Sequence, residues 1–165
     1  MANWDQIVRD HGPAIFRLAR RILGPGPDAE DVVQEVFLEV FQFRQKQEVG
    51  NWHGLLRRVA THRAIDRLRR RRGNEPLEGL EISDAADAPL ETAVAGELAE
   101  RLRRAITRLP DGQAAVFSLR YFDGRSYDEI AETLGMEPSA VGTALHKARG
   151  KLRSLLEDKV KGGGQ

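Results

Sequence analysis

The sequence predicts an all-α chain: two small helical domains joined by an acidic flexible linker, the C-terminal one containing a helix-turn-helix. Three observations predict it. Apolar residues recur at three- and four-residue steps wherever a periodicity is convincing, and no alternating β-branched run stands out. Between the periodic regions the pattern collapses into Gly73-Asn-Glu-Pro-Leu-Glu-Gly-Leu-Glu-Ile-Ser-Asp-Ala-Ala-Asp-Ala-Pro89, a run of breakers and acids that reads as a linker. Finally, Ser126 to Arg149 holds two helical stretches hinged at Gly135. The expected boundaries are a domain at 1–72, the linker at 73–89, a second domain at 90–161 and a frayed tail at 162–165.

The first domain opens with Ile7, Val8, Ile15, Phe16, Leu18, Ala19, Ile22 and Leu23, a helical region expected to be interrupted near Gly12-Pro13. Gly24-Pro-Gly-Pro27 ends it, because no helix continues through that run. Asp28 is the expected N-cap of a second helix, with acids in its first turn that suit the helix dipole. Val33, Val36, Phe37, Val40 and Phe41 give that helix a wide apolar stripe. Glu30, Asp31, Gln34, Glu35, Leu38 and Glu39 are left toward solvent or a partner. Asn51 can cap a third helix that runs through Leu55, Leu56, Val59, Ala60, Ile65 and Leu68 into a block of arginines.

In the second domain, helical signal returns at Leu90 with Val94, Leu98, Leu102, Ala105 and Leu109, and again from Asp111 through Ala115, Val116, Leu119 and Phe122. Ser126 with Glu129 three residues on is a capping box, and Ile130, Ala131 and Leu134 follow as one apolar stripe. Gly135 ends that helix. Pro138 and Ser139 restart one, whose Val141, Leu145, Ala148 and Leu152 keep the helical period. Small Ala131 allows a close crossing, and Val141 plugs the angle between the two helices. Lys147, Arg149, Lys151 and Arg153 make the far end of the second helix anion-seeking.

The net charge of +1 conceals a strong segregation of charge. Asp28 to Phe43 carries five acidic residues and no Lys or Arg, whereas Arg57 to Arg72 carries eight arginines against Asp66 alone. Gly73 to Glu100 then carries eight acidic residues and no basic one. Such blocks imply several distinct partners. The chain contains no cysteine, which excludes disulfides and thiolate metal sites. Its four histidines, His11, His53, His62 and His146, form no close ligand spacing, so no metal or other cofactor is expected. No apolar run is long enough to span a bilayer and the N-terminus lacks a secretory pattern, which predicts a cytoplasmic protein without membrane insertion.

Two surfaces carry chemistry. The block from Asn51 to Arg72 sets Arg63, Arg67, Arg70 and Arg71 near one helical face, for which phosphates are the natural partner. Trp52 and His53 stand at its head, where an aromatic can stack on an unpaired base; the alternative is a core Trp52 beside a solvated arginine face. In the acidic helix, Asp31, Glu35 and Glu39 lie four residues apart and could ligate a hard cation. A di-metal bundle also needs Glu-x-x-His pairs on other helices, and there are none. No nucleophile elbow or phosphate-cradling glycine loop occurs either, so the chain is expected not to be an enzyme. Gln34 and Leu38 within the acidic rim suit a protein-docking surface better.

Taken together, Asp28-Ala-Glu-Asp-Val-Val-Gln-Glu-Val-Phe-Leu-Glu-Val-Phe41, Val59-Ala-Thr-His-Arg-Ala-Ile-Asp-Arg-Leu-Arg69, Leu109-Pro110 and Tyr121-Phe-Asp-Gly-Arg-Ser-Tyr-Asp-Glu-Ile-Ala131 resemble the extracytoplasmic-function (ECF) sigma factors of bacterial RNA polymerase. The resemblance covers nearly the whole chain and keeps its order. It implies a non-catalytic subunit that directs core polymerase to specific promoters and assists their opening. It further implies that Asp31, Gln34, Glu35, Leu38 and Glu39 dock on core polymerase, and that Trp52, His53, His62, Arg63, Arg67, Arg70 and Arg71 recognise and open the −10 element. Ser126, Ser139, Thr143, His146, Lys147 and Arg149 would read the −35 element in the major groove. The linker would pass through the active-site and RNA-exit region of the polymerase, its charge mimicking nucleic acid. The implied partners are core RNA polymerase, promoter DNA and an anti-sigma factor.

The chain departs from the family pattern at four positions. Leu55 stands where Trp is usual and His62 where Asn is usual, both in the promoter-opening helix. In the recognition helix, Ala144 replaces the usual Arg and Gly142 occupies the turn before it. Loss of a bidentate Arg–guanine contact, about 1–3 kcal/mol of discrimination, shifts base reading toward Ser139, Thr143, His146 and Lys147. Two other readings fit parts of the sequence: a helix-turn-helix regulator that binds duplex DNA without polymerase, and an interaction adaptor that no longer reads DNA.

Overall fold

The computed structural model describes residues 3–74 and 90–162, with side chains described for 3–71 and 95–157. Among the described residues there are seven helices and no strand: α1 (Trp4–Leu23), α2 (Asp28–Arg44), α3 (Trp52–Asn74), α4 (Leu90–Ile106), α5 (Asp111–Tyr121), α6 (Tyr127–Leu134) and α7 (Pro138–Gly162). The expected all-α class is therefore observed. Gly73 and Asn74, assigned to the linker by sequence, close α3, and Gly162, assigned to the tail, closes α7. The rest of the linker, 75–89, and residues 163–165 lie outside the described residues.

Asn3 starts α1 by accepting a hydrogen bond from the Asp5 N–H at 3.1 Å. The helix then runs unbroken through Gly12-Pro13, where the sequence predicted an interruption. Pro13 removes one backbone donor, yet it lies on the exposed side, while Ile7, Ile15, Leu18, Ala19, Ile22 and Leu23 are buried on the other. Packing of that face against α2 and α3 holds the helix where propensity alone would break it. Gly24 ends it with φ +80°, its N–H donating to the Arg20 carbonyl at 2.8 Å.

A second correction concerns Asp28. Pro27 occupies the N-cap position without any side-chain cap bond, and Asp28 is the first helical residue of α2. The buried stripe also turns slightly from the expected one: Ala29, Val32, Val36, Phe37 and Val40 are buried, whereas Val33 and Phe41 are half-buried. The stripe is centred on 29, 32, 36 and 40, the row that lies between α1 and α3. Asn51 caps α3 as expected, accepting from the Gly54 N–H at 3.0 Å.

Helix α3 is the axis of the molecule. It packs on α1 and α2 and also on α4, α5 and α6. Leu56, Ala60, Ala64, Ile65 and Leu68 are buried along it, as are Arg57 and Thr61. The helix-turn-helix of α6 and α7 has the expected anatomy. Ser126 Oγ accepts from the Glu129 N–H and the Glu129 carboxylate accepts from the Ser126 N–H, each at 3.1 Å. Gly135 is left-handed at φ 67°, ψ 38°, and Ala131, Val141 and Leu145 are buried at the crossing.

An added Cβ at Gly135 meets nothing within 4 Å, so its substitution is opposed by backbone conformation alone. Gly135→Ala is expected to lose about 1 kcal/mol, whereas Leu145→Ala, which opens a cavity at a buried site, loses about 2–5 kcal/mol. Urea denaturation of the two variants, with the slope unchanged from wild type, checks this ordering.

Candidate nucleic-acid and docking surfaces

The structure brings together two residue sets that the sequence assigned to different partners. The arginine face of α3 lies against the acidic face of α2. Arg63 donates to Glu39 at 2.8 Å and lies 3.9 Å from Glu35. Arg67 donates to Glu35 at 2.8 Å and to Asp28 at 3.3 Å, with Asp31 at 3.8 Å. Arg71 binds Asp28 at 2.7 Å and the last carbonyl of α1, Leu23 O, at 2.9 Å. Guanidinium groups thus fill the space between carboxylates that a hard cation would need, and no group of three or more His, Asp or Glu among the described residues could hold a metal ion. The bond to Glu39 raises the Arg63 pKa above its ordinary value.

What this zipper leaves free is a smaller surface than the sequence suggested. Leu38 is 60% exposed and Gln34 is exposed beside it on α2, while Asp31 and Glu39 keep exposed faces although Arg67 and Arg63 reach them. On α3, Arg58 and Arg70 are exposed and take part in no ion pair among the described residues. Trp52 is half-buried and edge-on to Trp4 at 6.1 Å, within an aromatic group that includes Phe37 and Phe41. His53 is exposed, its ring 6.3 Å from that of His11, and His62 is half-buried.

In the C-terminal helices, Ser139, Thr143, His146, Lys147 and Arg149 of α7 are all exposed. Ser126 is exposed but its hydroxyl is engaged in the capping box. Thr143 Oγ1 donates back to the Ser139 carbonyl at 3.1 Å. Alongside runs a groove of about 650 Å³ between the start of α5, at Gly112 and Gln113, and Ser139, Thr143 and Lys147. Gly142 is not demanded sterically, since a Cβ there meets the Tyr127 ring at an ordinary 3.6 Å. A separate apolar groove of about 630 Å³ is lined by Leu98, Leu102, Phe117, Tyr121, Leu152 and Leu156, with Leu98 55% and Tyr121 62% exposed. The sequence reading did not identify it, because its walls come from three helices.

The sequence reading also missed the residues that join the two helix groups. Arg57 of α3 donates to Asp123, beyond the end of α5, at 3.0 Å, with side chains only 5% and 6% exposed. Asp123 also accepts from Arg125, which in turn binds Glu129 of the capping box at 2.9 Å. Arg69 donates to the Thr107 and Leu109 carbonyls at 3.3 and 2.9 Å and to the Asp111 carboxylate. Across the same seam, Arg103 of α4 donates to Ile22 O and Arg21 O at 3.0 and 3.3 Å, and Arg21 donates to Phe122 O at 3.2 Å. The Arg21, Ile22, Thr107 and Phe122 carbonyls lie at helix C-termini, where they lack intrahelical donors and carry partial negative charge, and Leu109 O lies in the turn before α5. A signal for Arg57 was present in the sequence: it shares a helical face with Thr61, Ala64 and Leu68, all buried.

Residues 7–73 match the family model for sigma-70 region 2, and residues 99–152 match that for sigma-70 region 4. The first match spans α1 to α3 and the second runs from α4 into α7. The ECF RNA polymerase sigma factor SigW of Bacillus subtilis is 32% identical, over 92% of this chain and 88% of its own length. The chain belongs to the ECF sigma-factor family. SigE of Mycolicibacterium smegmatis is 36% identical over 94% of this chain, which spans 62% of that relative's length, and SigM of Mycobacterium tuberculosis is 31% identical with 76% of its length covered. Two solved structures share the fold. One is CnrH in complex with the cytosolic domain of CnrY, with TM-score 0.58 and 24% identity over 94% of this chain and 88% of its own. The other is the Bartonella quintana sigma factor RpoE in complex with the anti-sigma factor NepR, with TM-score 0.54 and 21% identity over 93% and 96% of the two chains.

Partial desolvation, followed by the positive charges of Arg57 and Arg125, lowers the pKa of His53 below 6.5. Between the lowered value and 6.5 the unfolded chain binds the proton more readily, so this contribution to stability is complete above pH 6.5 and declines as pH falls. Thermal melts from pH 7.5 to 5.5 should drop less steeply for His53→Gln than for wild type.

Proposed function

We propose that this ECF-family chain is a non-catalytic specificity subunit that directs core RNA polymerase to defined promoters and assists their opening, the polymerase itself performing the chemistry. One observation carries the reading: region 2 and region 4 matches stand in order in a single chain whose described helices present both a basic helix and a helix-turn-helix. In this reading 1–72 docks on polymerase and opens the −10 element, 73–89 connects, and 90–161 reads the −35 element. The exposed Leu38, ringed by Asp31, Gln34, Glu35 and Glu39, is the docking spot. Arg70, exposed and in no ion pair among the described residues, supplies the first phosphate contact of the −10 surface, with Trp52, His53, His62, Arg63, Arg67 and Arg71 around it. The exposed row Ser139, Thr143, His146, Lys147 and Arg149 faces the major groove, Ser126 holding the entry of the preceding helix.

Core polymerase, promoter DNA and an anti-sigma factor are the partners in this reading, and the cytoplasm is its compartment. No helix among the described residues is long and apolar enough to cross a membrane. The exposure of the recognition helix without polymerase favours a second reading, a helix-turn-helix regulator that binds duplex DNA alone.

Purified chain added to core enzyme should start transcripts at defined sites and bind duplex poorly by itself. Tight, sequence-specific duplex binding without polymerase, and no co-purification with core, would establish the regulator instead. Arg149→Ala should weaken promoter binding about uniformly across −35 sequences and reduce the salt dependence by about one phosphate contact. Leu38→Asp should lower the yield of the polymerase complex without lowering the melting temperature, because Leu38 is exposed.

A further inference from the structure

Which base α7 selects depends on the atoms its side chains hold out, and at Thr143 those atoms are not the obvious ones. Thr143 is exposed and lines the groove of about 650 Å³ beside the start of α5. Its Oγ1 donates to the Ser139 carbonyl at 3.1 Å, one turn back along the same helix. The hydroxyl proton is therefore engaged within α7, and Cγ2, the other branch of Cβ, is left without a polar claim. Ala140 and Ala144 are the neighbours of Thr143 at helical spacing; both line the same groove and offer methyl groups alone. Met136 continues the apolar lining, while Ser139 and Lys147 stand at its two ends.

The major groove of DNA offers this surface one matching feature. Guanine and adenine present N7 acceptors, guanine adds O6, and adenine and cytosine present amino donors, all of which call for a polar partner. Thymine alone carries a C5 methyl group there. A purine N7 or a cytosine amino group pressed against Thr143 Cγ2 would give up water without gaining a hydrogen bond, whereas a methyl group gains by leaving water. We propose that Thr143 is a specificity-determining residue that selects thymine through methyl contact: its Cγ2, with Ala140 and Ala144, seats the C5 methyl group of the base.

The dimensions limit how many bases the seat reads. Ala140 and Ala144 are separated by four helical steps, a rise of about 6 Å. Base pairs along a duplex are spaced by about 3.4 Å. The seat therefore takes one thymine or two adjacent ones, and the bases on either side fall to Ser139 and Lys147. A methyl group removed from water is worth about a fourfold gain in affinity, so two of them are worth about fifteenfold. The contact also fixes the orientation of the pair, because the methyl group lies on the thymine side of the major groove.

This inference rests on the promoter reading proposed above, and the test separates the two. Holoenzyme assembled from the full chain and core polymerase selects promoters from a randomised duplex pool. Thymines of the recovered −35 element are then replaced one at a time by deoxyuridine, which removes the methyl group and keeps every hydrogen-bonding group. Complex formation should weaken about fourfold at one position or two adjacent ones and stay unchanged at the others. Thr143→Ser keeps the hydroxyl and loses the methyl group, so it should shrink the thymine–uracil difference. Thr143→Val keeps the methyl group and loses the hydroxyl, so the difference should persist. Thr143 is exposed, and both variants should melt with wild type. An undiminished difference in Thr143→Ser, or its loss in Thr143→Val, overturns the seat. Defined transcript starts with equal binding of thymine and uracil at every −35 position overturn the seat and leave the promoter reading standing. A chain that starts no transcripts with core polymerase, yet prefers thymine to uracil in duplexes it selects alone, overturns the promoter reading and leaves the seat standing.

Discussion

The arginines of α3 are the constraint on which the rest of the structure depends. A guanidinium has five donors and is desolvated at less cost than an ammonium group, so it can be pressed against helix ends and carboxylates where a lysine would be expelled. Arg63, Arg67 and Arg71 stitch α3 to α2 and to the end of α1. Arg57 and Arg69 stitch it to the loop after α5 and the turn before it. One helix therefore holds both halves of the fold.

That double use explains the charge blocks. An acidic helix next to an arginine-rich helix in sequence folds into an antiparallel charge zipper, which lowers the field that each would present alone. The surplus falls at defined places: exposed Leu38 in its acidic rim, Arg58 and Arg70 on α3, and the polar row of α7. A near-neutral chain can thus present one acidic, one basic and one mixed surface to three different partners.

Much of the fold was legible beforehand because it is written in local chemistry. The capping box of Ser126 and Glu129, the left-handed Gly135, the Asn51 cap and the helical spacing of Val141, Leu145 and Ala148 each involve neighbours within four residues. Pro13 and Asp28 were misread for the converse reason. Tertiary packing keeps α1 continuous across a proline that faces solvent, and two distant arginines claim the Asp28 carboxylate that the sequence assigned to capping. The polar row Ser139, Thr143, His146, Lys147 and Arg149 of α7 stayed exposed, whereas Arg63, Arg67 and Arg71 lost their freedom to partners from 24 to 48 residues away.

The sequence by itself determined the helix class, the order of the elements, the turn of the helix-turn-helix and the family, since all of these follow from periodicity, capping and motif order along the chain. Only the tertiary structure decided which charges are spent inside the protein. Helical spacing says that Arg57, Arg67 and Arg69 project from one helix, but not what stands opposite them. Burial of Arg57 against Asp123 depends on an approach across 66 residues, and a charge becomes structural or functional according to the acceptor it meets there.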